Sequence, residues 1–281
     1  MRHPVALKPI GVRAPMPGVV YPPEAALRHY VEAGALGFDT LADGLRASFA
    51  RNAARIALDG PGGAISYARL DADSERLGAA LLRQGLAPLD RVVFPMNNAY
   101  ELVILWVACL KAGLIPLCTL AAHREHEIGY LARHGEAVLH AVQGNDPKFD
   151  GIAFARAMQD KVPSLRWILQ TQGEPAPGVL HLRTLIESID EEDARRELSA
   201  VELDPFQVAV FQLSGGTTGA PKIIPRFHNE YLAMMQGVAR FNGYRPDDTV
   251  FIPLPMVHNL NMGCFFGPFL LSGGRVLVAP D

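Results

Sequence analysis

The sequence predicts an α/β fold in which a mainly parallel sheet is flanked by helices. Three observations carry that reading. Short apolar runs bounded by turn residues, such as Arg91–Met96, Ala137–Val142 and Val208–Leu213, have the length and β-branched content of buried strands. Longer segments with apolar residues three and four apart lie between such runs, so strand and helix patterns alternate from Ser66 to Leu169. With 49% hydrophobic residues among 281, the chain can cover a sheet on both faces. A helix between two strands is a crossover, and crossovers join parallel neighbours.

In chain order, residues 1–38 read as an N-terminal arm and first helix. Six prolines in the first 23 residues keep the arm extended, and Glu24–Ala33 is helical up to Gly34. Residues 39–205 read as a first α/β subdomain. Leu41, Leu45 and Phe49 give one face to a helix over Thr40–Asn52, and Gly60-Pro61-Gly62-Gly63 turns a hairpin between Ile56–Leu58 and Ile65. Ser66 caps a helix running to Gln84, with Leu70, Leu77 and Leu81 on its buried side. The alternation continues as strand Arg91–Met96, helix Ala99–Ala112, strand Ile115–Leu120, helix His123–His134, strand Ala137–Val142, helix Phe149–Lys161 and strand Leu165–Leu169. Leu185–Leu198 reads as one acidic helix, in which Asp190–Asp193 forms a solvated face. Residues 206–281 begin with the strand Val208–Leu213 and a Gly-rich loop.

Composition excludes several classes. The net charge of -3 and the absence of a Lys/Arg run remove the footprint of a nucleic-acid binder. No stretch reaches the ~18 to 20 apolar residues that span a bilayer; Ala99–Ile115 comes nearest, and Glu101 and Lys111 interrupt it. Cys109, Cys118 and Cys264 are scattered, which disfavours a disulfide framework or a zinc site and suits a cytoplasmic protein. His123, His126 and Glu127 do not fit a His-Glu-x-x-His metal motif and read as a polar helix start, so no metal ligand is assigned. Trp106, among apolar neighbours, reads as core.

Chemistry concentrates in Ser214-Gly215-Gly216-Thr217-Thr218-Gly219-Ala220-Pro221-Lys222, directly after a strand. Glycines let the backbone turn its N–H groups toward an anion, hydroxyls donate further hydrogen bonds, and Lys222 adds positive charge. The loop is neither a Walker A sequence nor a dinucleotide fingerprint. A Gly/Thr loop after a strand also serves as a plain surface turn.

The nine-residue string resembles the phosphate-binding loop of the adenylate-forming superfamily, which holds acyl-CoA synthetases, peptide-synthetase adenylation domains and luciferases. Phe211-Gln212-Leu213, Ile224-Pro225-Arg226-Phe227-His228-Asn229, Ala122–Ile128 and Pro22–Gly34 are similar to stand-alone aryl-acid adenylating enzymes of siderophore pathways. The resemblance implies that Ser214, Thr217, Thr218 and Lys222, with the loop glycines Gly215, Gly216 and Gly219, contact the phosphates of ATP. It also implies that His258, in Pro255-Met256-Val257-His258-Asn259, borders the acyl-carboxylate channel, and that Asn259 bonds a hydroxyl ortho to the carboxylate. An amide suits that task because it both donates and accepts. An isolated His-Asn pair can equally be a turn or a satisfied polar pair.

Cys264 falls where dihydroxybenzoate enzymes of this family carry a serine and salicylate enzymes a cysteine; its other reading is a buried structural thiol. Leu260, in place of an aromatic residue, and Phe265-Phe266, in place of Pro-Gly, depart from the family pattern. The resemblance as a whole implies a salicylate or 2,3-dihydroxybenzoate type acid, and these positions point to salicylate, an aminobenzoate or a bulkier bicyclic acid. The implied activity is ATP- and Mg²⁺-dependent formation of an aryl-adenylate, assisted by Lys222 and His258, followed by transfer to the phosphopantetheine thiol of an aryl carrier protein or to coenzyme A. The family's C-terminal domain and later subdomain fall outside these residues, so the chain alone is expected to be inactive. An aryl-CoA ligase outside siderophore metabolism and a non-catalytic aryl-acid or partner-binding protein remain the alternatives.

Overall fold

A computed structural model describes residues 9–214 and 221–279. Residues 9–23 carry no helix or strand, and the arm is held by specific ties. The Arg13 guanidinium donates to Glu202 and to the Leu203 carbonyl, and the Tyr21 hydroxyl donates to Gln207 at 2.6 Å. Helix α1 (Glu24–Glu32) follows, then α2 (Leu41–Arg51), which begins at Thr40 with a reciprocal cap: the Asp43 N–H donates to the Thr40 hydroxyl and the Thr40 N–H to the Asp43 carboxylate.

Strands β1 (Ile56–Gly60) and β2 (Gly63–Ser66) form the predicted hairpin, and the Ser66 hydroxyl caps α3 (Tyr67–Arg83). The alternation then runs β3 (Arg91–Val93), α4 (Tyr100–Ala112), β4 (Ile115–Leu117), α5 (Glu125–His134), β5 (Ala137–Val142), α6 (Gly151–Lys161), β6 (Trp167–Gln170) and the short β7 (Leu180–His181). Two helices, α7 (Leu182–Glu187) and α8 (Glu191–Ser199), replace the single one expected over Leu185–Leu198. The break is chemical: the Asp190 carboxylate accepts from the Asp193 N–H and so starts a new helix. Beyond it lie β8 (Val208–Leu213), β9 (Ile223–Phe227), α9 (His228–Asn242), β10 (Thr249–Ile252), the single turn α10 (Asn259–Asn261), a π-helical turn (Met262–Phe266), α11 (Gly267–Ser272) and β11 (Arg275–Val278).

The strands make two sheets rather than one. The larger has the order β7-β6-β5-β3-β4-β8-β9 and is parallel except for the β8–β9 hairpin. The smaller has the order β10-β11-β1-β2, with β11 parallel to both β10 and β1. Periodicity carries no information about long-range pairing, and Leu58 beside Val276 is such a pair. Both sheets draw strands from either side of residue 205.

Helix α4 lies at the centre, with every residue from Leu102 to Ala112 buried. Gly78 of α3 lets the two helices meet, since a Cβ there would stand 3.0 Å from the Ala108 carbonyl oxygen. Trp106 is fully buried, 5.1 Å from the Phe266 ring. Lys111 is buried in the same helix and paired with Asp71 at 2.5 Å and Glu75 at 3.7 Å, which offsets its desolvation. Among the described residues, no helix is long and apolar enough to cross a membrane.

Candidate active site at the carboxyl ends of the parallel strands

β3 and β4 both end earlier than their apolar runs suggested, and the chain beyond them forms loops at the carboxyl edge of the larger sheet. Parallel α/β sheets place ligands at that edge, where successive loops diverge. Here β4 and β8 are neighbours through Leu117 and Phe211, and the Cys118 N–H donates to the Phe211 carbonyl. Beyond their ends lies a cavity of about 120 Å³. Cys118 and His123 border it from the β4 side, Gln212 and Ser214 from β8, and Val257 and His258 from the segment after β10.

The loop after β8 is closed at its neck by two hydrogen bonds. The Ser214 N–H donates to the Lys222 carbonyl at 3.0 Å, and the Lys222 N–H donates to the Ser214 hydroxyl at 3.1 Å. Ser214 thus serves first as a clamp, its hydroxyl proton remaining available to a ligand. Lys222 is exposed at the mouth. Gly215, Gly216, Thr217, Thr218 and Gly219 lie outside the described residues.

His258 is presented by a pinned loop. Its Nδ1 accepts from the Leu260 N–H at 3.3 Å, which caps α10 and leaves Nε2 as the second ring nitrogen. Asn98, in the loop before α4, donates to the carbonyls of Ile252 and Leu254 and accepts from the Met256 N–H at 2.7 Å. Asn261 donates to the Pro255 carbonyl at 3.0 Å. Neither amide was singled out in the sequence, because their partners are revealed only by the fold.

Asn259 is exposed one residue past His258, its Oδ1 at 3.5 Å from the Tyr231 hydroxyl. Cys264 is half-buried in the π-helical turn, and the Tyr244 hydroxyl donates to its carbonyl. Neither Asn259 nor Cys264 lines the 120 Å³ cavity. Wide turns of this kind are rare and recur at functional sites. Glycines permit this one: a Cβ on Gly263 would stand 3.0 Å from Met234, and one on Gly267 would stand 2.5 Å from the Met262 carbonyl oxygen.

Burial governs the electrostatics. It pushes the Cys118 thiol well above the usual thiol range and raises Tyr231, so both stay neutral donors. It lowers His123, which keeps that imidazole uncharged near neutral pH. His123 lies before the observed start of α5, so the helix begins two residues later than expected, and the residue belongs to the cavity wall. Nothing local in the sequence distinguished it from His126, which is exposed.

A larger, open cleft of about 690 Å³ lies at the ends of β3, β5 and β6. Its amides are engaged with one another: the Asn97 N–H donates to Gln143, Gln143 to Gln172, and Gln172 to Glu101. None of the phosphate- or acid-binding residues expected from the sequence borders it. Among the described residues, no three His, Cys, Asp or Glu side chains converge as a metal set, so none is assigned to Mg²⁺.

A family model described as AMP-binding enzyme matches residues 45–281. The chain is similar to a salicylyl-CoA synthase / salicylate adenylyltransferase of Streptomyces sp, at 36% identity over 218 residues, covering 76% of this chain and 39% of that protein. It is also similar to the 2,3-dihydroxybenzoate-AMP ligase of Bacillus subtilis strain 168, at 31% identity over 262 residues, covering 92% of this chain and 46% of that protein. Its fold matches the apo structure of MbtA from Mycobacterium smegmatis with a TM-score of 0.85 and 26% identity, over 94% of this chain and 48% of that one. The chain thus spans less than half the length of these relatives.

Proposed function

We propose that this chain, which belongs to the AMP-binding enzyme family, carries the phosphate-gripping and acid-receiving parts of an enzyme that condenses an aromatic carboxylic acid with ATP. The observation that carries the reading is the convergence of Ser214, at the neck of the Gly-rich loop, and His258 on one cavity at the carboxyl ends of β4 and β8. A carboxylate oxygen of the acid attacks the α-phosphorus, the bond to pyrophosphate breaks, and an aryl-adenylate forms. A thiol sulfur then attacks the carbonyl carbon, and AMP leaves with the oxygen that joined acid to phosphorus.

Bringing a carboxylate to a polyphosphate sets like charges together, so the protein must supply positive charge and oriented donors. The Ser214–Lys222 clamp fixes the mouth of the loop, and Lys222 meets the phosphates. A cation 4 Å from a phosphate charge is worth roughly 1 kcal/mol in water and roughly 4 kcal/mol at an effective dielectric of 20, so its weight depends on how far the loop excludes solvent. Mg²⁺, bound with the nucleotide, would neutralise phosphate charge. His258 borders the acid's carboxylate, Asn259 takes an ortho hydroxyl, and Cys264 faces the ring edge. A thiol, being a weak hydrogen-bond partner, suits salicylate better than a second hydroxyl.

The similarity to a 2,3-dihydroxybenzoate-AMP ligase supports an ortho-hydroxylated aryl acid as substrate; a cytoplasmic role in siderophore assembly, with the phosphopantetheine thiol of an aryl carrier protein as acceptor, rests on the sequence resemblance. A second reading, with coenzyme A as acceptor, is supported by the Streptomyces relative. The test is ATP–pyrophosphate exchange by the protein expressed from its full reading frame, with salicylate, 2,3-dihydroxybenzoate, anthranilate and benzoate. Exchange is expected with an ortho-substituted acid, and Asn259→Ala should lower it about 10-fold, the worth of one hydrogen bond to the bound acid. Exchange with aliphatic acids alone would rule out the aryl assignment.

A further inference from the structure

The cavity has a second imidazole wall to which the reaction above gives no task. His123 sits in a closed turn after β4: its N–H donates to the Leu120 carbonyl at 2.9 Å, and its Nδ1 accepts from the Leu120 N–H at 3.3 Å. Leu120 is itself fixed to the sheet by a parallel bridge with Met96. An Nδ1 that accepts a hydrogen bond leaves the proton of the neutral ring on Nε2. His258 is tied in the same way, through its Nδ1 and the Leu260 N–H. Two rings of one tautomer, each locked by a backbone amide, therefore border one small cavity.

The size of the cavity limits what these rings can hold. An apolar cavity of ~150 Å³ takes a benzene ring, and this one has about 120 Å³. It therefore accommodates the reacting head of an aryl acid, with the ring extending outside.

We propose that His123 is a substrate-binding residue whose Nε2–H donates to a carboxylate oxygen of the aryl acid, in the cavity that His258 also borders, and orients that oxygen for attack on the α-phosphorus. This rests on the functional reading above and assigns its carboxylate a second donor. Burial lowers the proton affinity of His123, so it acts as a neutral donor and adds no charge that would bind pyrophosphate. A phosphate oxygen offers the same acceptor chemistry, and the experiment below separates the two.

Two substitutions divide the ring's roles. His123→Asn sets an oxygen near the Nδ1 position, which preserves the tie to Leu120 and removes the Nε2 donor. His123→Gln sets an amide donor near Nε2 and gives up the tie. In ATP–pyrophosphate exchange by the full reading frame, His123→Asn should raise the KM for the acid about 10-fold or more and leave the KM for ATP within about 2-fold, whereas His123→Gln should stay within about 3-fold for both. Wild-type behaviour of His123→Asn, equal loss in both variants, or a rise in the KM for ATP would overturn the proposal. If the wild type exchanges with no aryl acid, the functional reading fails by itself. Ring-nitrogen NMR then decides the binding claim: salicylate should shift His123 Nε2 where inorganic phosphate does not, and an unmoved resonance overturns it.

Discussion

Asn98 anchors the loop that carries His258 to the cavity. It is 7% exposed, and its amide satisfies the backbone of Ile252, Leu254 and Met256, ahead of His258. Asn98→Ala would leave these groups unpaired, at about 1 to 3 kcal/mol for each that water cannot reach. We expect a loss of about 2 to 4 kcal/mol in urea unfolding, together with lower exchange activity, because the loop carrying His258 loses its anchor. An unchanged urea midpoint would show that the loop holds itself. The loop string and the His258-Asn259 pair were legible because they are consecutive in the chain. Asn98 and His123 were not, since their meaning depends on residues brought near by folding: Asn98 and Met256 are 158 positions apart.

At the scale of elements, β5 shows what the fold tolerates for a continuous buried strand. Ala137–Val142 was legible to the residue because an apolar run between turns, interrupted by a single histidine, admits little else. One member is His140, fully buried 5.7 Å from the Phe154 ring, with neither ring nitrogen hydrogen-bonded. Desolvation lowers its pKa to about 3, and that of buried His228 at the start of α9 to about 4. Both values lie below that of an unfolded histidine, so the unfolded chain binds more protons as pH falls below ~6.5 and stability declines. Between pH 6.5 and 5 each histidine should cost roughly 1.6 kcal/mol. Buried Glu75 and half-buried Glu230, whose pKa values are raised by desolvation, act in the opposite sense. The clean readout is therefore a difference: His140→Leu should flatten the stability profile between pH 7.5 and 5 by roughly 2 kcal/mol. Parallel profiles for variant and wild type would mean that His140 is hydrated or hydrogen-bonded in solution. The π-helical turn was not legible, because Gly263 and Gly267 signal close approach without saying to what.

At the scale of the molecule, the chain returns to complete both sheets, β11 against β1 and β8 against β4, so the site is built from segments distant in sequence. The alternating pattern foretold parallel pairing and gave no sign that the first hairpin would leave the main sheet. Strand β10 stands at an edge of the smaller sheet, with Phe251 58% exposed and Leu254 57% exposed beside it. An apolar edge strand templates pairing with another chain. The 281-residue chain should therefore self-associate at micromolar concentration in light scattering, and Phe251→Lys should shift it toward monomer; a wild-type monomer would refute this. A carboxylate that attacks the α-phosphorus at this cavity carries one of its oxygens into the nucleotide product. The most direct test of that attack is oxygen transfer in the full reading frame, using salicylate labelled with ¹⁸O in its carboxylate and a thiol acceptor. One labelled oxygen is expected in AMP and none in pyrophosphate. Label in inorganic phosphate, with ADP as the nucleotide product, would contradict attack at the α-phosphorus.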